Sequence, residues 1–397
     1  MSALASRTSA PHVLIIGGGG TGGALAHDLT LRGLRVTLIE RGEFTSGTTG
    51  RHHGLLHSGA RYAVNDRESA IECIEENRIL RRICPGSFEE NDGLFVAISD
   101  EDMAYQADFV AGCRESGIPI QELTPEGSLR LEPNLNPHLK AAVRVPDATM
   151  DAMRMPLRFF ATAMANGAWL RNYTEALDLV VTDRVVRGAV VRDHVRGRVG
   201  EIEADLVVNA TGPWSGKIAS MAGVHVPIRP SPGVMLALRG RLCNMVVNRL
   251  HRSGDGDIIV PQRGLTIVGT SSWIVDDPEE LDVPEDHVTR MVEEGSTLIP
   301  AVAHAEFRAA WSAARPLIAA GDGPDTGREL SRTFKTIDHE QDDGVRGFVT
   351  ITGGKATTLR GMAELCSDVV CRKLGVEAEC RTRDTVLLPH VAFYGAA

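Results

Sequence analysis

An α/β fold centred on a parallel sheet is what the sequence predicts, and three observations predict it. The run His12-Val-Leu-Ile-Ile16 is apolar after its first residue, as expected of a strand covered on both faces, and it leads into a glycine cluster and a helical stretch. A second strand, Leu34-Arg-Val-Thr-Leu-Ile-Glu40, ends in an acid 18 residues after Gly22. Far downstream, two more apolar strands end on Ala210-Thr-Gly212 and on Gly353-Gly-Lys355.

Length and composition frame those elements. At 397 residues the chain is long enough for two or three domains, or for one large α/β domain with a substrate-capping layer. With 43% hydrophobic and 24% charged residues it reads as globular rather than disordered, fibrous or disulfide-scaffolded. A formal net charge of −10 leaves no global positive field to recruit nucleic acid or anionic lipid, so any anion site must be local. No apolar run approaches the roughly 18 residues that span a bilayer, and residues 1–10 carry no secretory h-region. The seven cysteines are an odd number without C-x-x-C spacing, which suits reduced thiols in a cytosol.

Gly17, Gly19 and Gly22 form G-x-G-x-x-G between the first strand and a helix expected over 21–32. Such glycines admit a tight turn and let backbone N–H groups approach a pyrophosphate at the helix N-terminus, while Glu40 stands where a ribose-binding carboxylate belongs. A dinucleotide is therefore expected, FAD or NAD. After Glu40 the chain does not continue into further βα units. It enters an irregular polar loop, Arg41 to Tyr62, that contains Thr48, Thr49, His52, His53, His57 and Arg61 and that a ligand would hold in place. With three strand ends converging on one nucleotide, this is the pattern of a flavoprotein. Elsewhere, 67–84 reads as an amphipathic helix, 181–195 as a hairpin, and Asp100, Glu101 and Asp102 as solvated surface. His53 and His57 have H-x-x-x-H spacing, but the surrounding glycines argue against the helix that would aim both at one metal ion.

Gly50-Arg-His-His-Gly-Leu-Leu-His57-Ser-Gly-Ala-Arg61-Tyr62, Val145-Pro-Asp-Ala-Thr-Met-Asp151, Val207-Val-Asn-Ala-Thr-Gly212, Ala314-Arg315-Pro316-Leu317, Leu330-Ser-Arg332 and Ile351-Thr-Gly-Gly-Lys355 together resemble FAD-dependent glycerol-3-phosphate dehydrogenase. The likeness is nearest to the catalytic A chain of the anaerobic enzyme and runs in order from about residue 11 to about residue 389. The resemblance implies a glutathione-reductase-like FAD-binding Rossmann domain with an antiparallel-sheet substrate domain of D-amino-acid-oxidase type. Expected boundaries are 11–80 with 145–225 and 340–389 for FAD, and 81–144 with 226–339 for the substrate unit. It also implies oxidation of sn-glycerol 3-phosphate or a closely related polyol phosphate to the ketone, with hydride passing from C2 to flavin N5. Electrons would then go to a quinone or to partner subunits. The expected location is cytoplasmic, with attachment to the inner face of a membrane left open.

Residue by residue, the resemblance and the motifs assign FAD to Gly17, Gly19, Gly22, Glu40, Arg41, Thr48 and Thr49, and to Ala210, Gly212, Gly354, Lys355 and Thr357 at the later strand ends. Arg315 and Arg332 match positions that face the substrate, where a planar guanidinium suits a phosphate dianion. Arg61 and Tyr62 match as well, although an arginine beside a glycine loop also serves to brace it. His57 resembles a histidine next to the isoalloxazine. Lys355 precedes a helical pattern, so its ammonium is expected near a helix N-terminus, and the hydroxyl proton is expected to go to His57 or Lys355.

Two departures from the family pattern bear on substrate identity. Ser231-Pro-Gly233 stands where relatives commonly have Lys-Gly, and Met235 stands where aerobic relatives carry a histidine. The alternatives are a larger phosphorylated sugar alcohol, an amine or 2-hydroxy acid, and a role in electron transfer as a flavin-binding component with no substrate of its own. The catalytic chain of the anaerobic enzyme also continues into a cysteine-bearing iron–sulfur domain. This sequence stops eight residues after Pro389 and is expected to lack it.

Overall fold

The computed structural model describes residues 10–279, 281–318 and 333–395. His12–Ile16 lies at the centre of a six-stranded sheet, in the order Phe334–Asp338, Phe348–Gly353, Leu206–Asn209, His12–Ile16, Arg35–Ile39, Trp169–Arg171. All neighbours are parallel except the Phe334–Asp338 edge, which runs against Phe348–Gly353. Ile16 pairs with Asn209 and Ile39, and Asn209 pairs with Thr350. Gly17, Glu40 and Ala210 therefore leave the sheet at one level, which is how segments far apart in sequence come to face one ligand.

Both faces of this sheet are covered. Gly20–Leu31, Arg154–Ala165 and Leu359–Leu374 pack on one side around Leu25, Leu38, Phe160, Val208 and Met362. The other side takes Ser215–Met221 and the antiparallel strands Thr174–Thr182, Val185–Asp193 and Arg198–Glu203. The expected hairpin is thus two-thirds of a three-stranded meander. Its first turn places Asp183 and Arg184 at φ +50° and +59°, the left-handed pair that matches strand twist in a two-residue connection.

A second sheet of eight strands carries the rest of the core, in the order Phe307–Ile318, Ile228–Arg239, Leu265–Gly269, Ile258–Gln262, Val246–Arg249, Gly93–Ala97, Ala141–Val145, Gln121–Leu123. It is antiparallel apart from the Val246–Arg249 and Gly93–Ala97 pair. Its strands fall almost wholly within the expected substrate unit. Phe334–Asp338, expected there too, instead hydrogen-bonds along Phe348–Gly353 in the parallel sheet.

One surface assignment is corrected. Asp102 is 1% exposed. It closes a capping box with Ser99 at the start of Asp100–Glu115 and pairs with Arg249 at 3.2 Å. Burial opposes its charge, but the N–H groups of Ile98 and Ser99, and Arg249, outweigh that and hold the carboxyl below its usual range. Its neighbours Asp100 and Glu101 are exposed, as expected. All seven cysteines are free and six are buried, and among the described residues no helix is long and apolar enough to cross a membrane.

Candidate active site

A cavity of about 510 Å³ runs from the glycine turn of the parallel sheet to the antiparallel sheet, where Met235, Ile258 and Ala314 line it. Its floor begins at Gly17, whose φ of +114° and whose 2.6 Å approach to the Ala210 carbonyl by any added Cβ leave no room for a side chain. Gly22 faces away from the cavity, and its missing side chain lets the helix start sit on the Gly17 carbonyl. The Gly20 N–H donates to Thr49 Oγ1 at 3.0 Å, and Thr48 Oγ1 donates to the Ala314 carbonyl at 2.6 Å, tying the polar loop to both sheets. Glu40 accepts from the Gly18 and Gly42 N–H groups at 2.8 and 2.9 Å, so its carboxylate stands at the mouth of the glycine turn.

Arg41 closes the same end from outside. Its guanidinium lies 4.7 Å from the Trp214 ring centroid and 2.6 Å from Glu279, which also accepts the Trp214 indole N–H at 2.7 Å. Gly19, Ala210, Gly212 and Gly354 line the cavity as expected. Thr357 does not. It is buried beneath the lining, where Oγ1 accepts the His57 N–H at 3.0 Å and so fixes the loop carrying that histidine. A glycine turn packed against the neighbouring strand end too closely for any Cβ, an acid held beside it and a third strand end in register fit a flavin dinucleotide.

The far end of the cavity is cationic. Lys355 is 6% exposed, with Nζ 3.5 Å from Glu72 and 5.0 Å from the Tyr62 ring centroid. Burial pushes the Glu72 carboxyl up and Lys355 pulls it back only in part. The Tyr62 ring in turn lies 5.6 Å from that of His57. Arg315 sits opposite Ser231 in the paired strands and donates to the carbonyls of Ser231, Pro232 and Ser271 at 3.3, 3.4 and 3.0 Å, and to Thr270 Oγ1. Gly233 makes that placement possible, because a Cβ there would lie 2.5 Å from Arg315 Nη2. Arg61 reaches the cavity as well, but one of its nitrogens is spent on Asp257. Arg332 lies outside the described residues.

The histidines behave differently from one another. Burial pushes the His52 ring down to about 4. Burial, then repulsion from His57, His52, Arg315 and Arg61 whenever those groups carry charge, pushes the His53 ring well below its ordinary value. The His53 and His57 rings are 5.9 Å apart. Among the described residues no group of three His, Cys, Asp or Glu is placed to hold a metal ion.

Sequence reasoning missed Glu72, Gly233, Thr270 and Asp257. Glu72 is one of several acids on an amphipathic helix, and Asp257 ends a Gly-Asp-Gly-Asp stretch that reads as a turn. Only Gly233, in the noted Ser231-Pro-Gly sequence, carried a local signal.

Comparison with known proteins is consistent with this geometry. The family model described as FAD dependent oxidoreductase matches residues 12–368. The chain is 46% identical over 389 residues to the A1 chain of the anaerobic glycerol-3-phosphate dehydrogenase of Haloferax volcanii, covering 95% of the chain and 66% of the relative. It is 42% identical over 377 residues to the A chain of the anaerobic glycerol-3-phosphate dehydrogenase of Escherichia coli K12, covering 94% and 69%. The chain thus spans about two thirds of the length of these relatives. Among solved structures, the glycerol-3-phosphate dehydrogenase of Bacillus halodurans complexed with FAD superposes with a TM-score of 0.73 at 24% identity, covering 96% of this chain and 68% of that one. Glycine oxidase of Geobacillus kaustophilus gives 0.74 at 23%, covering 95% and 99%. At those identities the two structures establish the fold.

Proposed function

The chain belongs to the FAD-dependent oxidoreductase family, and from that premise we propose that it oxidises sn-glycerol 3-phosphate, or a closely related polyol phosphate, to the ketone. The observation that carries this reading is one cavity in which a dinucleotide cradle opens onto Arg315, Arg61 and Lys355, cations suited to a small dianion. Bound FAD supplies the acceptor for the two electrons and the hydrogen leaving the substrate carbon.

The chain's own residues supply binding, orientation and proton transfer. Arg315 is braced by three carbonyls and a hydroxyl, so it meets the phosphate with little rotamer freedom left to lose. Arg332 is kept as a second phosphate ligand on its motif alone. Lys355, set between Glu72 and the Tyr62 ring, acts as a fixed positive charge that polarises the nascent carbonyl. His57 then takes the hydroxyl proton, its loop fixed by Thr357 at one end and by the Asn77 amide, which donates to the His57 carbonyl at 3.0 Å. The discontinuous division of the chain stays part of this proposal, with Phe334–Asp338 moved to the FAD unit. So does transfer of electrons to a quinone or to partner subunits, at a cytoplasmic site or one peripheral to the inner face of a membrane.

Anaerobic bleaching of the bound flavin tests the reading. Glycerol 3-phosphate at millimolar concentration is expected to bleach it, and glycine or lactate is not. Absence of bleaching by glycerol 3-phosphate refutes the reading, and bleaching by an amine or 2-hydroxy acid alone favours that alternative. Arg315→Ala is expected to lower kcat/KM about 10- to 150-fold, from ~1.5–3 kcal/mol for the loss of one charged hydrogen bond to the phosphate. An unchanged kcat/KM removes Arg315 from the site.

A further inference from the structure

A buried carboxylate that local sequence did not mark grips one of the cavity's arginines. Asp257 precedes the strand Ile258–Gln262 and is 1% exposed. Its Oδ1 and Oδ2 lie 2.6 and 2.7 Å from a single nitrogen, Arg61 Nη2, which also donates to Ser253 Oγ at 2.8 Å. Oδ2 accepts the Gly254 N–H at 2.7 Å and lies 3.3 Å from His251 Nε2. The Asp257 carbonyl accepts the Arg249 N–H at 3.1 Å, so the carboxylate is fixed through its own backbone.

Arg61 is held at its other end too. It lies in the short turn Ala60–Tyr62, after Gly59, whose φ is +94° and whose missing side chain leaves room for the Ala70 carbonyl. With one terminal nitrogen surrounded by three oxygens, Nε and Nη1 make no hydrogen bond to the described residues. The side chain is 10% exposed, and Arg61 is among the residues that line the cavity. A guanidinium gripped at one corner presents its remaining N–H groups in a fixed plane. Pairing with Asp257 also keeps this buried cation neutralised when no anion is bound.

We infer that Asp257 is a positioning residue that aims Arg61 at the substrate's phosphate, an inference that rests on the phosphate-binding reading above. Charge is part of the device. Burial alone would raise the Asp257 carboxyl, yet Arg61, His251 and the Gly254 N–H together hold it below its usual value, so it stays ionised at neutral pH.

The test uses the FAD-loaded full chain with Asp257→Asn, Arg61→Ala and the double variant. Asp257→Asn is expected to raise KM for glycerol 3-phosphate about 10- to 100-fold, the scale of a small misplacement of a site group, with a much smaller effect on kcat. Flavin content is expected to stay at that of the parent. Combined with Arg61→Ala, Asp257→Asn is expected to add almost nothing, because both changes remove one interaction. Inorganic phosphate, titrated calorimetrically, is expected to bind the parent more tightly than either single variant. That arm separates the two readings: a parent that binds phosphate in an Arg61-dependent way but is not bleached by glycerol 3-phosphate sinks the function and leaves this inference standing. Equal phosphate affinity in Asp257→Asn and parent, or fully additive effects in the double variant, overturns it. If Asp257→Asn does not fold, Arg61→Lys keeps the ion pair but loses the planar fork. It is expected to fold and to bind phosphate at least 10-fold more weakly, as loss of one charged hydrogen bond implies. Undiminished binding by Arg61→Lys overturns the inference.

Discussion

Replacing Gly17 by alanine tests whether the glycine turn is a cofactor cradle or only a tight connection. The new Cβ would meet Ala210 O at 2.6 Å, Ala210 C at 2.8 Å and Thr211 N at 3.0 Å, all backbone atoms of the neighbouring strand end. Ordinary contact begins near 3.4 Å, so the two strand ends must part by roughly 0.8 Å in an interior packed too tightly to absorb it freely. Overpacking of that kind costs about 1–3 kcal/mol, and an alanine at φ +114° adds about 1–3 kcal/mol of backbone strain. Against a total stability of about 5–15 kcal/mol the chain still folds, but the displacement falls on two residues that line the cavity, Gly17 and Ala210. The expected product is a folded protein purified with little flavin. Gly33→Ala is the control: φ there is +83° with nothing within 4 Å of the added carbon, so it carries the strain without the collision. Flavin content from the visible to 280 nm absorbance ratio, and Tm with and without added FAD, separate the two. If Gly17→Ala retains full flavin and melts like Gly33→Ala, the cradle argument is wrong.

Two further perturbations probe the scaffold. Arg360 is buried and holds Glu76, Glu364 and Thr382 at once, so Arg360→Leu strands Glu76, whose carboxyl burial already pushes up. A loss of about 3–5 kcal/mol in urea unfolding is expected, partly recovered by adding Glu76→Gln; a loss under about 1 kcal/mol contradicts it. His27 is fully buried with neither ring nitrogen partnered among the described residues, and burial pushes it down to about 4. Above pH 6.5 both folded and unfolded chains are neutral there. Between 6.5 and 4 only the unfolded chain takes up the proton, so stability falls as pH falls. His27→Leu should remove that contribution, making the loss between pH 7.5 and pH 5 about 2 kcal/mol smaller than in the parent. Equal losses in the two proteins refute the assignment.

How much of the site was legible follows from how local each signal is. Gly17, Gly19 and Glu40 were readable because a strand, a turn and a helix within thirty residues dictate their geometry through φ, sterics and backbone N–H direction. Lys355 was readable as a strand end. Its role was not, because Glu72 and Tyr62, which fix its ammonium, come from segments that only folding brings to it. Asp102 was misread for a related reason: its acidic neighbours are exposed, and nothing nearby announces Arg249, 147 residues away.

The sequence by itself determined the class of fold, the dinucleotide cradle and the chemical family, since these rest on periodicity and on short motifs whose physics is complete within a few turns of chain. Tertiary structure alone decided what each charged group does. Arg61 is steered by Asp257 from 196 residues away, and Arg315 is spread over carbonyls of two other segments. A charge in a low-dielectric interior takes its orientation and its protonation from whatever lies within a few ångströms, and that distance is set by the fold rather than by the order of residues.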